Sequence, residues 1–161
     1  MRVGLDDFGQ ALLGRVQEVD LPPRGTRMGK TSIRIRGRGV DVALKIPADG
    51  TVTDVNEAVR ADPLVLNTHP YGGGWILVVR PVRLSGSLKQ LYYGAGAESW
   101  YERELDRLQG LMARAQGGAP GAGGVGVTLQ DGGAPLLGLL DGMKKKTVRR
   151  IIQQFFRGGP P

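Results

Sequence analysis

The feature that most constrains the fold is a block of alternating residues broken by glycine. Ile33-Arg34-Ile35-Arg36 leads into Gly37-Arg38-Gly39, and Val40-Asp41-Val42-Ala43-Leu44-Lys45-Ile46 follows. Successive side chains of a strand point to opposite faces, so period-two alternation reads as a half-buried strand. Glycines between two such strands supply the positive φ that a tight turn needs. The block is therefore a β-hairpin with a glycine-rich tip. Similar short runs surround it. Val16-Gln17-Glu18-Val19-Asp20-Leu21 alternates until Pro22-Pro23-Arg24-Gly25 stops it, and Pro47-Ala48-Asp49-Gly50 makes a second turn. Thr51–Val55 and Trp75–Pro81 are further strands. Many short strands with regular turn signals predict a small sandwich or barrel.

Helical segments are fewer. Asp6 or Asp7 can cap a helix running through Phe8, Ala11 and Leu12. Residues 97–115 place Tyr101, Leu105, Leu108 and Met112 on one face, with Glu102, Glu104, Asp106 and Arg107 on the outside. Glycine, at 27 of 161 residues, lies well above its background of roughly 7%. Much of it falls late in the chain, in a Gly/Ala/Pro linker over 117–135 interrupted only by Val125-Gly126-Val127-Thr128-Leu129. The expected organisation is a β domain over 1–82, a helix packed on it over 83–116, the linker, and a tail helix over 136–157.

The tail carries the strongest independent signal. Of the net +7, the last 46 residues hold +4, from six basic and two acidic side chains. Lys144, Lys145 and Lys146 precede Val148, Ile151, Ile152, Phe155 and Phe156, an apolar stripe at helical spacing flanked by Arg149, Arg150 and Arg157. A basic amphipathic helix on a tether suits docking on a protein partner, contact with nucleic acid or an anionic membrane, or folding back on its own domain. Docking on a protein partner is the favoured expectation, because the long linker is otherwise unnecessary.

Composition removes several chemistries. Without cysteine there are no disulfides, thiolate nucleophiles or cysteine metal sites, and one histidine, His69, cannot build a multi-histidine centre. No paired carboxylates or Ser/His/Asp set stands in a convincing context, and Gly37-Arg38-Gly39 lacks the helix that a nucleotide loop requires. The reading is a protein that is not an enzyme and has no cofactor or metal. Met1–Asp7 lacks the apolar run of a signal peptide, and no stretch approaches the ~18 apolar residues of a membrane span, so a cytoplasmic location is expected.

Several spaced motifs then carry a family resemblance. They are Val3-Gly4-Leu5-Asp6-Asp7-Phe8-Gly9-Gln10 with Leu13-Gly14, Leu21-Pro22 with Gly25-Thr26, and Pro47-Ala48-Asp49-Gly50-Thr51-Val52 with Val55-Asn56-Glu57-Ala58. Pro63-Leu64-Val65-Leu66-Asn67 with Pro70-Tyr71-Gly72-Gly73-Gly74-Trp75 completes the set. In this order they resemble the glycine cleavage system H-proteins, over about residues 3–82. The resemblance implies a mainly β fold with flanking α-helices, the lipoyl/H-protein-like barrel-sandwich hybrid. It also implies a lysine at a hairpin tip that carries lipoate as a swinging arm.

The tip of this chain departs from that pattern. The family spacing places the acceptor at Gly39 counted back from Pro47, or at Asp41 counted forward from Gly25. No lysine occurs from Thr31 to Leu44. Arginine stays protonated and is not acylated, and Lys30 and Lys45 lie near the base of the hairpin. Gly39, Val40 and Asp41 are thus degenerate tip positions. The expected function is a non-lipoylated structural or adaptor subunit; the alternative is an accessory or regulatory protein of a lipoate-dependent system, suggested by the retained loops around Asn67 and Tyr71.

The resemblance also predicts an N-terminal strand pair that the chain enters late, leaving a sheet edge open. Val125–Leu129 is the candidate strand to cover it. Arg34, Arg36 and Arg38 share one side of the hairpin, either as a surface for an anion or acidic partner or as a solvated strand face. Trp75 and Tyr71 read as core or loop anchors, and Tyr92, Tyr93, Trp100 and Tyr101 as packing residues.

Overall fold

A computed structural model describes residues 1–29, 32–46, 48–89, 91–115, 140 and 142–157. In chain order the elements are β1 (Arg2–Gly4), α1 (Asp7–Leu13), β2 (Val16–Asp20), β3 (Arg27–Met28), β4 (Ser32–Gly37), β5 (Val40–Lys45) and β6 (Gly50–Val55). Then come α2 (Glu57–Ala61), α3 (Val65–Thr68), β7 (Trp75–Pro81), α4 (Leu84–Leu88), α5 (Ala95–Ala115) and α6 (Lys145–Arg157). The chain divides into two units; the first carries these strands, and the second carries α5 and α6.

In the first unit the strands form two antiparallel sheets, one ordered β1-β7-β6-β3 and the other β2-β4-β5. The alternation at 33–46 folds as read: Ile33, Ile35, Val40 and Val42 are buried while Arg34, Arg36 and Asp41 face outward. Val52, Val55, Leu77 and Val79 of the other sheet, with Phe8, Leu12 and Leu13 of α1, complete the apolar interior. Full burial of each large aliphatic side chain is worth roughly 1.5–3 kcal/mol. The fold is therefore mainly β with flanking helices, as expected. Asp6 is the N-cap of α1, its carboxylate accepting from the Gly9 amide at 2.8 Å. The strands β1 and β3 were not legible from periodicity, because three and two residues do not complete a pattern. The segment Val125–Leu129, expected to cover a sheet edge, lies outside the described residues.

Two asparagines hold the connections together. Asn56 is 6% exposed; its side chain caps α2 by accepting from the Ala58 amide and donates to the carbonyls of Gly73 (2.7 Å) and Trp75 (2.6 Å). Asn67, on α3, accepts from the Val16 amide at 2.9 Å and donates to the Gly14 carbonyl at 3.0 Å. It thereby satisfies both backbone groups at the corner between α1 and β2. Beside it the loop before β7 closes tightly, and a Cβ on Gly74 would stand 2.6 Å from the His69 carbonyl oxygen. Both asparagines belong to the motifs that carry the family resemblance, and both act inside the scaffold.

Asn67→Ala should lower stability by about 1–3 kcal/mol, since it leaves a backbone N–H and a carbonyl without their partner. Asn67→Asp, which keeps only the acceptor, should fall between that variant and the parent in urea unfolding.

Candidate functional site

The hairpin tip is a tight two-residue turn. β4 and β5 pair in unbroken register from Ser32 opposite Lys45 to Gly37 opposite Val40. Only Arg38 and Gly39 remain to turn the chain, and both have positive φ, +50° and +70°. That is the backbone habit of a type I′ hairpin turn. The tip is also pressed onto the end of α1. A Cβ on Gly37 would run into the Leu13 carbonyl, and one on Gly14 would stand 2.7 Å from Arg38 Nε. Gly14 itself has φ +59° and ψ −140°, a conformation that suits glycine.

None of the candidate acceptor positions presents an amine. Gly39 has no side chain, although the space around it is open. Val40 turns inward and is 1% exposed. Asp41 points outward and accepts from Arg36 Nε at 2.7 Å. Lys45 is exposed, but it pairs across from Ser32 at the far end of β5, about 17 Å from the tip at ~3.4 Å per residue. Lys30 lies outside the described residues.

The three arginines do not form the shared surface expected of them. Arg34 and Arg36 do project from one sheet face, but their charges are matched across the strands. Arg36 bridges Glu18 at 2.5 Å and Asp41 at 2.7 Å, and Arg34 stands 4.0 Å from Asp20. The hydrogen bond that Arg36 donates to Asp41, then the charges of Asp41 and Glu18, hold the Arg36 guanidinium even more firmly protonated than usual. Arg38 leaves this face altogether. Its left-handed backbone turns the side chain back over Gly14, where it is half-buried.

The remaining candidates in this unit are structural. Tyr71 is 78% exposed, and its hydroxyl donates to Asp7 Oδ2 at 3.0 Å, tying the loop before β7 to α1. His69 is exposed and its Nδ1 meets the Thr68 hydroxyl at 2.9 Å. Among the described residues no group of three or more His, Cys, Asp or Glu side chains is placed to hold a metal ion. No described helix is long and apolar enough to cross a membrane.

In the second unit the tail forms a helix over Lys145–Arg157, shorter than the 136–157 expected, and it does not hold its apolar stripe open for a partner. Val148, Ile151, Ile152 and Phe155 are buried within this chain, and Phe156 is half-buried with its ring edge-on to Phe155. A clamp joins α6 to α5. Arg107 donates from Nη2 to the Phe155 carbonyl at 3.0 Å, and its guanidinium lies 4.6 Å from the centre of the Phe155 ring. Arg107 Nη1 also donates to Glu104 at 2.9 Å. Glu104 is 5% exposed, so the outside position assigned to it from the sequence is corrected. The signal for the clamp was an acid and a base one turn apart on α5, a spacing that equally suits an exposed pair. Tyr92 and Tyr93 are exposed, against the packing role expected of them, and Tyr92 stacks on Trp100 with ring centres 5.9 Å apart.

What α6 presents outward is charge. Lys144, Lys145, Lys146, Arg149 and Arg150 are exposed, and Lys146, Thr147, Arg149, Arg150 and Gln153 line a surface concavity. None of these five cations makes an ion pair among the described residues. The first turn of α6 holds no acidic residue, so lysines sit at the positive end of the helix dipole. Each such placement opposes the helix by about 0.3–1 kcal/mol.

Two small antiparallel sheets, flanking helices and a tip hairpin define the first unit as a lipoyl-type barrel-sandwich. Residues 1–104 match the family model described as "Glycine cleavage H-protein", and the chain belongs to that family. It is 37% identical over 79 residues to the "Glycine cleavage system H protein" of Salinibacter ruber, covering 48% of this chain and 64% of that protein. It is 34% identical to the "Probable glycine cleavage system H protein" of Thermococcus kodakarensis, covering 64% of this chain and 77% of that one. A crystal structure of a glycine cleavage system H protein from Mycobacterium marinum is similar over 54% of this chain and 75% of that chain, at 28% identity and a TM-score of 0.47. The chain thus spans just under two thirds of the first of these relatives.

Two substitutions test this geometry. Gly37→Ala should cost about 1–3 kcal/mol through overpacking against Leu13, read as a lower urea midpoint. Arg107→Met should release α6, seen as faster amide exchange over residues 145–157, because it removes the bond to Phe155 and leaves Glu104 buried without its cation.

Proposed function

We propose that this chain is a non-lipoylated member of the H-protein family and serves as a non-catalytic adaptor that binds a partner protein and carries a separate contact surface on the exposed half of α6. The observation that carries this is the composition of the two-residue tip. Its three acceptor positions offer no side chain, a core valine and an aspartate held by Arg36. An arm needs an amine on an exposed tip, and this tip has none.

The relatives are named as H-proteins of a glycine cleavage system, which is the description of a component. Contact with other components is the part of that role that does not depend on the arm. The alternative of an accessory protein of the same enzymes draws little support from the retained loops, because Asn67 and Tyr71 are engaged within the fold. The apolar residues Ile151, Ile152 and Phe155 do not serve as docking anchors while α6 is packed as it is, so the contact surface on α6 is its basic face.

Co-expression with a lipoate–protein ligase, followed by intact-mass analysis, tests the first half of the reading. An H-protein that carries the family's acceptor lysine serves as the positive control. The expected mass is that of the unmodified chain. A lipoyl adduct, mapped to Lys45, Lys30 or elsewhere, would overturn the proposal.

A further inference from the structure

Some arginines of this chain are paired and one cluster of cations is not. Arg34 and Arg36 in β4, Arg24 in the turn before β3, Arg60 in α2 and Arg107 in α5 each have a carboxylate within 4.0 Å. On α6 and the residue before it, Lys144, Lys145, Lys146, Arg149 and Arg150 stand together without an acidic partner among the described residues. Lys144, Lys145 and Lys146 do so at a helix N-terminus, where the dipole disfavours cations. Local stability does not explain this arrangement, and an external anion does.

The structure also limits what that anion can be. Arg149 and Arg150 stand three and four residues after Lys146, and Gln153 stands four and three after them, so the four share one side of the helix. The concavity they line with Thr147 combines cations with hydroxyl and amide groups and contains no aromatic residue. That is the mix by which proteins hold phosphate oxygens along a nucleic-acid backbone, leaving base edges unread. Membrane insertion needs a free apolar face, and Val148, Ile151, Ile152 and Phe155 are buried. A protein interface draws its affinity from buried aromatic and apolar anchors and is depleted in lysine, whereas nucleic-acid interfaces are far more positively charged.

We infer that the exposed face of α6 binds the phosphate backbone of nucleic acid without sequence preference, through Lys146, Arg149 and Arg150 with the adjoining Lys144 and Lys145. The inference rests on the adaptor reading only in taking α6 as a contact surface. It does not depend on the state of the hairpin tip, so an unmodified mass and a failed nucleic-acid titration are separate results.

The test is fluorescence anisotropy of a labelled mixed-sequence DNA duplex titrated with the full-length protein over a salt series. About four phosphate contacts predict an affinity that falls on the order of a hundredfold between ~50 and ~200 mM salt. The combined variant Lys146→Gln, Arg149→Gln and Arg150→Gln should lose at least about tenfold at low salt while its circular dichroism is unchanged. Lys144→Gln with Lys145→Gln, which precedes the buried face, provides a second variant and should lose part of the affinity. Absence of binding at low salt, or equal binding by both variants and the parent, would overturn the proposal. So would tighter binding to phosphatidylserine vesicles, or equal binding to poly-glutamate, since either would assign the surface to another class of anion.

Discussion

The first unit depends on the backbone corner that runs from Leu13 to Val16. The hairpin tip presses on it from one side, with Gly37 against the Leu13 carbonyl and the Arg38 side chain over Gly14. From another side Asn67 bonds the Gly14 carbonyl and the Val16 amide, so neither group is left without a partner. Gly14 can make this turn because its backbone conformation carries no Cβ penalty. From this corner β2 enters its sheet beside β4 with a bulge between Val16 and Glu18, and β4 and β5 pair in unbroken register up to the two-residue turn. The corner seats Gly37 and Arg38, while Gly39 at the tip stays exposed with open space around it.

Charge is treated differently in the two units. Across β2, β4 and β5 the register brings Glu18 opposite Arg36, Asp20 opposite Arg34 and Asp41 opposite Arg36, so the outer face of the hairpin balances itself. Such exposed pairs orient side chains more than they stabilise the fold. On α6 the cations have no such partners among the described residues. A formal charge of +7 averages over these two situations and describes neither.

Arg107 shows how a single side chain can decide the state of an element. It neutralises the buried Glu104, caps the Phe155 carbonyl and lies over the Phe155 ring. Through it α6 keeps its apolar stripe on the inside and its lysines on the outside. The stripe and the basic residues thus part company: one belongs to packing and the other to contact.

By itself the sequence determined the hairpin at 33–46, a helix cap at Asp6 or Asp7, the helix at α5, the amphipathic helix of the tail and the lack of lysine from Thr31 to Leu44. These are consequences of local periodicity, turn chemistry and residue identity, which need no knowledge of distant parts of the chain. The family motifs through Asn56 and Asn67 were also legible, though their role was not, because an asparagine's partners lie 51 and 53 residues away for Asn67. Only the tertiary structure decided that Arg38 leaves the face of Arg34 and Arg36, that Glu104 is buried, and that Ile151, Ile152 and Phe155 are covered. A strand pattern says which residues share a face, and a helical stripe says which residues are apolar. Neither says what will stand opposite, because that is set by contacts between segments far apart in the chain.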